Sequence, residues 1–539
     1  MKQLSLLSVL FFLLSSCFKG KEADLIIHNA RIYSLDKNST VYQAMAIKDG
    51  KIIELGPERE IMNKYAADRE IDAMGKMVIP GFHDSHCHVL GFVEDSFFAD
   101  LRWLRSKKKT LEVARTQQPL NNWIIGRGWD ESLWENKERP TLKELDSLFP
   151  DQPLLLTRID GHGALINSKT FELFDSLDRQ EILPGQVEYV NGEFTGFIMD
   201  NALDLVYRKS PMVSKEQLKA KFEEFQQTLF EYGITSINEA GLTPTQIEWY
   251  KQLEEEGILK LDVYAMIFGN EEGLQYALKN GKYKSELLNV SSFKLIADGS
   301  LGSRGACMLA HYSDQPTYGQ IVLDSSFKKV LSFAYLNEFQ VNTHCIGDSA
   351  NRFVLEAYGD VLKEVNDCRW KIEHAQVMNT SDFELFSKFS VIPSVQPNHA
   401  MDDMRWAEDR IGGHRLEEGA YNYKKLFNTS GMLAIGTDFP VTDINPFYNF
   451  FCSVFRQNKE LEPKEGFLAK NGLSRIVTLR GMTQWGAVSN FEEGWKGTLE
   501  EGKNADLIIL SADLLEAPKD QILKAYVEYT IKKGKVVYE

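Results

Sequence analysis

Three of the chain's ten histidines stand within six positions: His83, His86 and His88, in GFHDSHCHV. Along a strand, alternate side chains share a face, so His86 and His88 project the same way. Two imidazoles within ~7 Å on one face can both reach one metal ion. Alone, a His-x-His pair is a modest signal. Four further groups strengthen it: Lys294 in SFKLIADGS, His344 in VNTHCIGD, His374 in KIEHAQ and Asp438 in AIGTDFP. Each has an ordinary structural explanation, as a hydrogen-bonded core histidine, a helix-capping aspartate or a salt-bridged lysine. Their joint placement at or near the ends of apolar runs points instead to a metal centre. Imidazole and carboxylate ligands suit zinc, with manganese or iron as alternatives. Such a centre polarises a carbonyl and supplies hydroxide near neutral pH, which is hydrolytic chemistry.

The elements that must position these groups read as short apolar strands at 81–88, 234–240, 261–267, 292–298, 339–345, 370–375, 391–396 and 432–437. Helical patterns separate them. In 214–233, Leu218, Phe222, Phe225 and Leu229 follow helical spacing and Gly233 stops the helix. Eight alternating strands and helices predict a parallel, closed (β/α)₈ TIM barrel over 81–489, with chemistry at the C-terminal strand ends. An open doubly wound sheet is the alternative, but no GxGxxG follows an early strand. About 145 residues separate the first two strands, so roughly 95–213 reads as an inserted subdomain overhanging the catalytic mouth. It carries Trp103, Trp123, Trp129 and Trp134, a weak hint of an apolar or aromatic substrate group. Alternating runs at 24–80, with a Lys48-Asp49-Gly50-Lys51 turn, match those at 490–539, with Lys533-Gly534-Lys535 as the turn. The two chain ends are expected to pair into one small β-sandwich domain.

The net charge of -16, from 61 basic and 77 acidic residues without a long Lys/Arg block, excludes nucleic acid as a natural partner. With 43% hydrophobic and 26% charged residues the composition is that of a globular protein, not a disordered or polytopic one. The chain opens MKQLSLLSVLFFLLSSCFKG: a basic Lys2, then an apolar core over 4–14 too short to span a bilayer. Leu14-Ser15-Ser16-Cys17 resembles the lipobox of bacterial lipoprotein signal peptides. The resemblance implies removal of residues 1–16, lipidation of Cys17 and anchoring to a membrane, facing the periplasm or cell surface. A plain secretory signal is the alternative. The other five cysteines are expected to be buried free thiols. A homo-oligomer is left open.

The order His-x-His, Lys, His, His, Asp on strands one, four, five, six and eight resembles the amidohydrolase superfamily. The segments VIPGFHDSHCH, LLTRIDGHGALINS, FKLIADGSLGSRGA, HCIGDSA, RWKIEHAQ, SVQPNH and AIGTDFPV resemble the amidohydrolase-3 family, which includes N-substituted formamide deformylases. The similarity runs from about residue 24 to the end. It implies that His86, His88 and Asp438 hold one metal and His344 and His374 a second, with Lys294 carboxylated as a bridge. It also implies a metal-activated hydroxide attacking a non-peptide carbon–nitrogen bond, most of all an amide, in a small molecule. Asp438 would be the general base and proton shuttle. His162, in RIDGHGALINS, is the candidate for substrate contact or oxyanion support, and His399, in QPNH, a further substrate-binding candidate. Cys87 is expected to face away from the centre. Asn238 and Glu239, ending the second strand, depart from the family pattern. The alternatives are another acyl or cyclic substrate at the same centre, or a lipid-anchored solute-binding protein with an inactive barrel.

Overall fold

The structure, a computed structural model, describes residues 20–159, 161, 163–173, 187–211 and 213–539; Cys17 and His162 lie outside them. Two compact units divide the chain: residues up to His88 together with Gln226–Glu539, and Val89–Phe225.

The first unit contains eight strands in one sheet, hydrogen-bonded in chain order: β1 (Phe82–Cys87), β2 (Ile234–Leu242), β3 (Asp262–Phe268), β4 (Leu288–Ile296), β5 (Gln340–Cys345), β6 (Lys371–His374), β7 (Ile392–Val395) and β8 (Ala434–Ile435). Every neighbouring pair of these eight is parallel, and a ninth, two-residue strand of the sheet, Tyr283–Lys284, pairs antiparallel with β4. These strands are buried along nearly all their length, as parallel strands covered on both faces must be. Helices fall between them, such as Pro244–Glu255, which Thr243 and Gln246 start with a capping box. The result is a nearly closed parallel barrel, which removes the open doubly wound alternative.

β8 is shorter than the expected 432–437 because the chain leaves the β7 ladder to close the barrel. The Asp438 amide donates to the His86 carbonyl at 2.7 Å and the His88 amide to the Phe439 carbonyl at 2.9 Å. Asp84 clamps the same seam, taking the Thr437 amide at 3.0 Å and the Thr437 hydroxyl at 2.6 Å. Gly436 makes that approach feasible: a Cβ there would lie 2.4 Å from the His86 nitrogen and 2.7 Å from an Asp84 carboxylate oxygen. Strand β4 starts at Leu288, earlier than expected, and ends at Ile296, leaving Asp298 on the following loop.

Strands from the chain ends build two sheets in the same unit. One is ordered Lys51–Gly56, Ala44–Lys48, Lys21–His28, Tyr65–Asp72. The other is ordered Lys535–Tyr538, Val527–Lys532, Leu507–Leu510, Met77–Pro80, Arg31–Tyr33, Val41–Tyr42. Leu25, Ile27 and Ile47 of the first share one core with Ile32, Val78, Leu507 and Ile531 of the second. A buried ion network ties these strands to the barrel: Lys532 Nζ lies 2.8 Å from Asp262 and 2.9 Å from Asp506, and Lys496 Nζ 3.2 Å from Asp262.

Val89–Phe225 carries a six-stranded sheet with apolar clusters of its own. Trp129 and Trp134 stack at 5.8 Å inside one cluster and Trp123 is buried in another, so only Trp103 of the four is exposed. The hint of substrate binding drawn from them fails, because three of these indoles are already covered by their own unit. Of the five cysteines expected to be buried, Cys87, Cys345 and Cys452 are, whereas Cys307 and Cys368 are half-buried; all five are free thiols. No helix among the described residues is long and apolar enough to cross a membrane.

Two outcomes follow from the seam and its surroundings. Gly436→Ala drives a methyl group into backbone that cannot rotate away, and is expected to lower unfolding stability by about 2–3 kcal/mol in denaturant titration. His83 is held at 2.9 Å from Asn238 Oδ1, and burial, aided by the charge of Lys496, pushes it down to about 3. The unfolded chain protonates this ring near pH ~6.5 and the folded chain resists, so stability falls as pH drops from about 6.5 toward 3, by up to ~1.4 kcal/mol per unit. In metal-free protein, where the buried imidazoles of His86, His344 and His374 add slope of the same sign, His83→Gln is expected to reduce the slope by one proton's worth; an identical slope would show that the ring contributes nothing.

Candidate metal centre

Six of the expected residues meet at the C-terminal strand ends. His86, from β1, lies with its ring centroid 5.5 Å from that of His88 and 4.9 Å from that of His374; His374 lies 4.6 Å from His344. Register places them: β5 pairs with β6 so that Cys345 faces His374, and β4 with β5 so that Ile296 faces His344. Lys294 Nζ is 3.2 Å from His86 Nε2. Asp438 sits in the middle. Its Oδ1 is 3.3 Å from His88 Nε2 and 3.5 Å from His86 Nε2, and its Oδ2 is 4.0 Å from His374 Nδ1. His399, the seventh, joins them by donating from Nε2 to Asp438 Oδ2 at 3.0 Å. Cys87 is buried and its thiol faces the Asn238 carbonyl at 3.5 Å.

His374 and Asp438 achieve this with left-handed backbone, φ 72° and 63°. For a residue with a Cβ that conformation is strained, and such strain persists where the surroundings over-determine it. Here it swings both side chains from strand geometry toward the same point.

The residues around this set were not singled out from sequence. Glu373 Oε2 accepts from His86 Nδ1 at 2.6 Å, both groups fully buried. Gln396 Oε1 accepts from His374 Nδ1 at 2.7 Å. Each bond fixes a tautomer in which Nε2 keeps its lone pair, the arrangement a metal-binding imidazole needs. Asp298 lies 3.5 Å from His344 Nε2, and its carboxylate takes the amides of Cys307, Ile346 and Gly347 at 2.8–3.0 Å. Glu373 is flanked by Lys371 and His374 in KIEH, so nothing in the local sequence set it apart. Asn238, where the sequence departs from the family pattern, hydrogen-bonds His83 and Asn490, not the histidines of the centre.

Electrostatics keep the imidazoles neutral. Burial and the Lys294 charge push His344 down to about 3; burial and His344 hold His374 well below its usual value; burial and Lys294 lower His86. Burial works against ionisation of Asp438, but His86, His399 and His88 outweigh it and keep the carboxylate ionised. Burial lowers the Lys294 amine, against the pull of Glu373 and Asp438. Burial also opposes the charge on His399, yet its bond to Asp438 raises it overall.

The donor set fits a divalent cation. One atom each from His86, His374 and Asp438 lies within 4.8 Å of the others. Two buried polar atoms of the site, Asp438 Oδ1 and His344 Nε2, have no hydrogen-bond partner. Burying such atoms unsatisfied is costly, and a cation between them would remove that cost.

Replacing Glu373 by glutamine keeps the shape and removes the charge that braces His86. Metal affinity, read by competition with a chromogenic chelator, is expected to fall about 10–100-fold while the circular dichroism spectrum stays unchanged.

Comparison with known proteins agrees with this geometry. The family model described as "Amidohydrolase family" matches residues 69–538. LONG AFTER FAR-RED 3 of Arabidopsis thaliana is 29% identical, over 96% of this chain and 92% of its own. The N-substituted formamide deformylase of Arthrobacter pascens is 24% identical, over 96% of this chain and 98% of its own. The crystal structure of an uncharacterized metal-dependent hydrolase from Pyrococcus horikoshii OT3 superposes with a TM-score of 0.77 at 26% identity, covering 92% of this chain and 99% of that one. The match spans every barrel strand and all seven side chains gathered at their ends: the chain belongs to the amidohydrolase family.

Proposed function

We propose that this chain is a metal-dependent hydrolase of a carbon–nitrogen bond other than a peptide bond, an amide above all. The observation that carries the reading is the convergence of His86, His374 and Asp438 around buried, unsatisfied donor atoms. A bound zinc, manganese or iron ion would polarise the substrate carbonyl and acidify a water. His86, His88 and Asp438 would hold one ion, and His344 and His374 a second. Lys294 would bridge them as a carbamate: its buried amine is biased toward the neutral form that attacks CO₂, losing one proton to solvent.

Asp438 is suited to move the proton. Its Oδ1, without a hydrogen-bond partner, would face the ion, and its Oδ2, oriented by His399, would carry the proton. It takes the proton of the attacking water as oxygen adds to the carbonyl carbon. It returns that proton to the nitrogen as the C–N bond breaks, releasing an amine and a carboxylic acid. His399, biased toward its charged form, orients the carboxylate and can donate to a substrate oxygen. The formamide deformylase similarity supports N-formyl and N-acyl amines as the first substrates to try.

The test is amine release from a panel of N-formyl and N-acyl amines by protein loaded with zinc, manganese or iron. Chelation is expected to abolish turnover and the metal to restore it. Asp438→Asn is expected to lower kcat by at least about a hundredfold. Metal content below about 0.2 per chain after loading would refute the metal-centre reading. A loaded enzyme that hydrolyses lactones or esters but no amide would move the substrate to that class.

A further inference from the structure

A cavity opens among the described residues at the opposite end of the barrel. It measures about 570 Å³ and is lined by residues at the N-terminal ends of β3, β4, β5 and β6. Asn289, in its wall, stands five residues before Lys294 on β4, about 16 Å away along the strand. The cavity is therefore separate from the metal centre.

Its walls are aromatic. Tyr264 and Phe339 are buried, while Tyr335 and Phe491 are 44% and 40% exposed at the opening. The Arg369 guanidinium stacks on the Phe491 ring at 4.1 Å. The polar groups of the wall are already engaged: Asn490 accepts from Lys371 Nζ at 2.9 Å and donates to Asn238 at 2.6 Å, and Asn289 takes Ser291 at 2.6 Å and donates to Glu492 at 3.1 Å. Both carboxylates of the lining have cation partners, Glu338 with Lys282 at 3.4 Å and Asp367 with Arg369 at 2.7 Å. Lys284 differs. Its ammonium lies 3.9 Å over the Trp495 ring and pairs with no carboxylate among the described residues.

We propose that this cavity is a binding site for a small carboxylate with a planar apolar body. The aromatic walls take the body and Lys284 takes the charge, because it is the cation there without a carboxylate partner. Pockets of this size, mostly apolar with few converging polar groups, are the usual form of small-molecule sites. A carboxylate would gain an ion pair with the exposed Lys284 that a neutral ligand would not make, and a cation would compete with Lys282 and Arg369 for their acids.

The probe is 1-naphthoate, titrated calorimetrically into the metal-loaded full chain, with 1-naphthalenemethanol as its uncharged analogue. A carboxylate can also bind a metal centre, so the Asp438→Asn variant separates the two sites. Saturable binding is expected, one per chain, and unchanged in Asp438→Asn. The uncharged analogue and the Lys284→Glu variant are each expected to bind about fivefold to tenfold more weakly. Ser291→Trp, which fills the cavity, is expected to abolish binding while metal content and amide turnover stay at the parent level. No saturation by about 10 mM would overturn the proposal. So would binding that disappears in Asp438→Asn or survives Ser291→Trp in a protein of unchanged metal content.

Discussion

One carboxylate holds this structure together in two senses. Asp438 stands between 3.0 and 4.0 Å from nitrogens of His399, His88, His86 and His374. Its own backbone amide makes the bond to His86 that closes the barrel between the last and first strands. The side chain that collects the site and the peptide that completes the fold therefore belong to one residue. Its left-handed backbone costs on the order of 1 kcal/mol, which the closed seam offsets. A barrel that failed to close would separate Asp438 from His86, so the centre cannot assemble on an open sheet.

The second constraint is the number of charges inside. Lys371, Glu373 and Lys294 are all buried. Glu373 is held well below its usual range, to about 2: burial opposes its ionisation, but His86, Lys294 and Lys371 prevail. A neutral group in place of Glu373 would take away the carboxylate that favours the charged forms of Lys371 and Lys294 in a weakly screening interior. The same logic governs Asp262, Lys496, Lys532 and Asp506 at the base. Several buried polar atoms lack a hydrogen-bond partner among the described residues, Glu373 Oε1 and Asp262 Oδ1 included, and two of them, His344 Nε2 and Asp438 Oδ1, meet at the rim. That shortfall, located where the imidazoles present lone pairs, is the structural statement of a cation site.

Much of this was legible in sequence for identifiable reasons. Parallel strands buried on both faces read as apolar runs, so eight of them separated by helical patterns gave the barrel, and His86 with His88 gave the alternation of a strand. The partners of the ligands were harder to see. Glu373 stands beside His374 in KIEH and reads as one more polar residue until β1 arrives opposite it, 287 positions away in sequence. Gln396 and Asp298 are likewise defined only by the ring or amides they meet. The eighth strand was overestimated because its last residues leave one ladder to join another, a choice made by the seam and not by propensity. The tryptophans misled because clustering in sequence says nothing about whether a ring packs inward.

Exposure gives the centre a direction. The His88 side chain is 36% exposed and that of His344 18%, whereas those of His86 and Glu373 are 1% and 0%. Among the described residues the group is most exposed on the side of His88 and His344, with His399 and the unpartnered oxygen of Asp438 next in depth. Glu373 lies behind, bonded to the Nδ1 side of the His86 ring that it supports. Residues at the back can act on the chemistry only through charge and through the orientation of His86. Residues at the front can touch the substrate. Discrimination among substrates would therefore come from side chains around His88, His344 and His399, while the strength with which a cation is held would be set from behind.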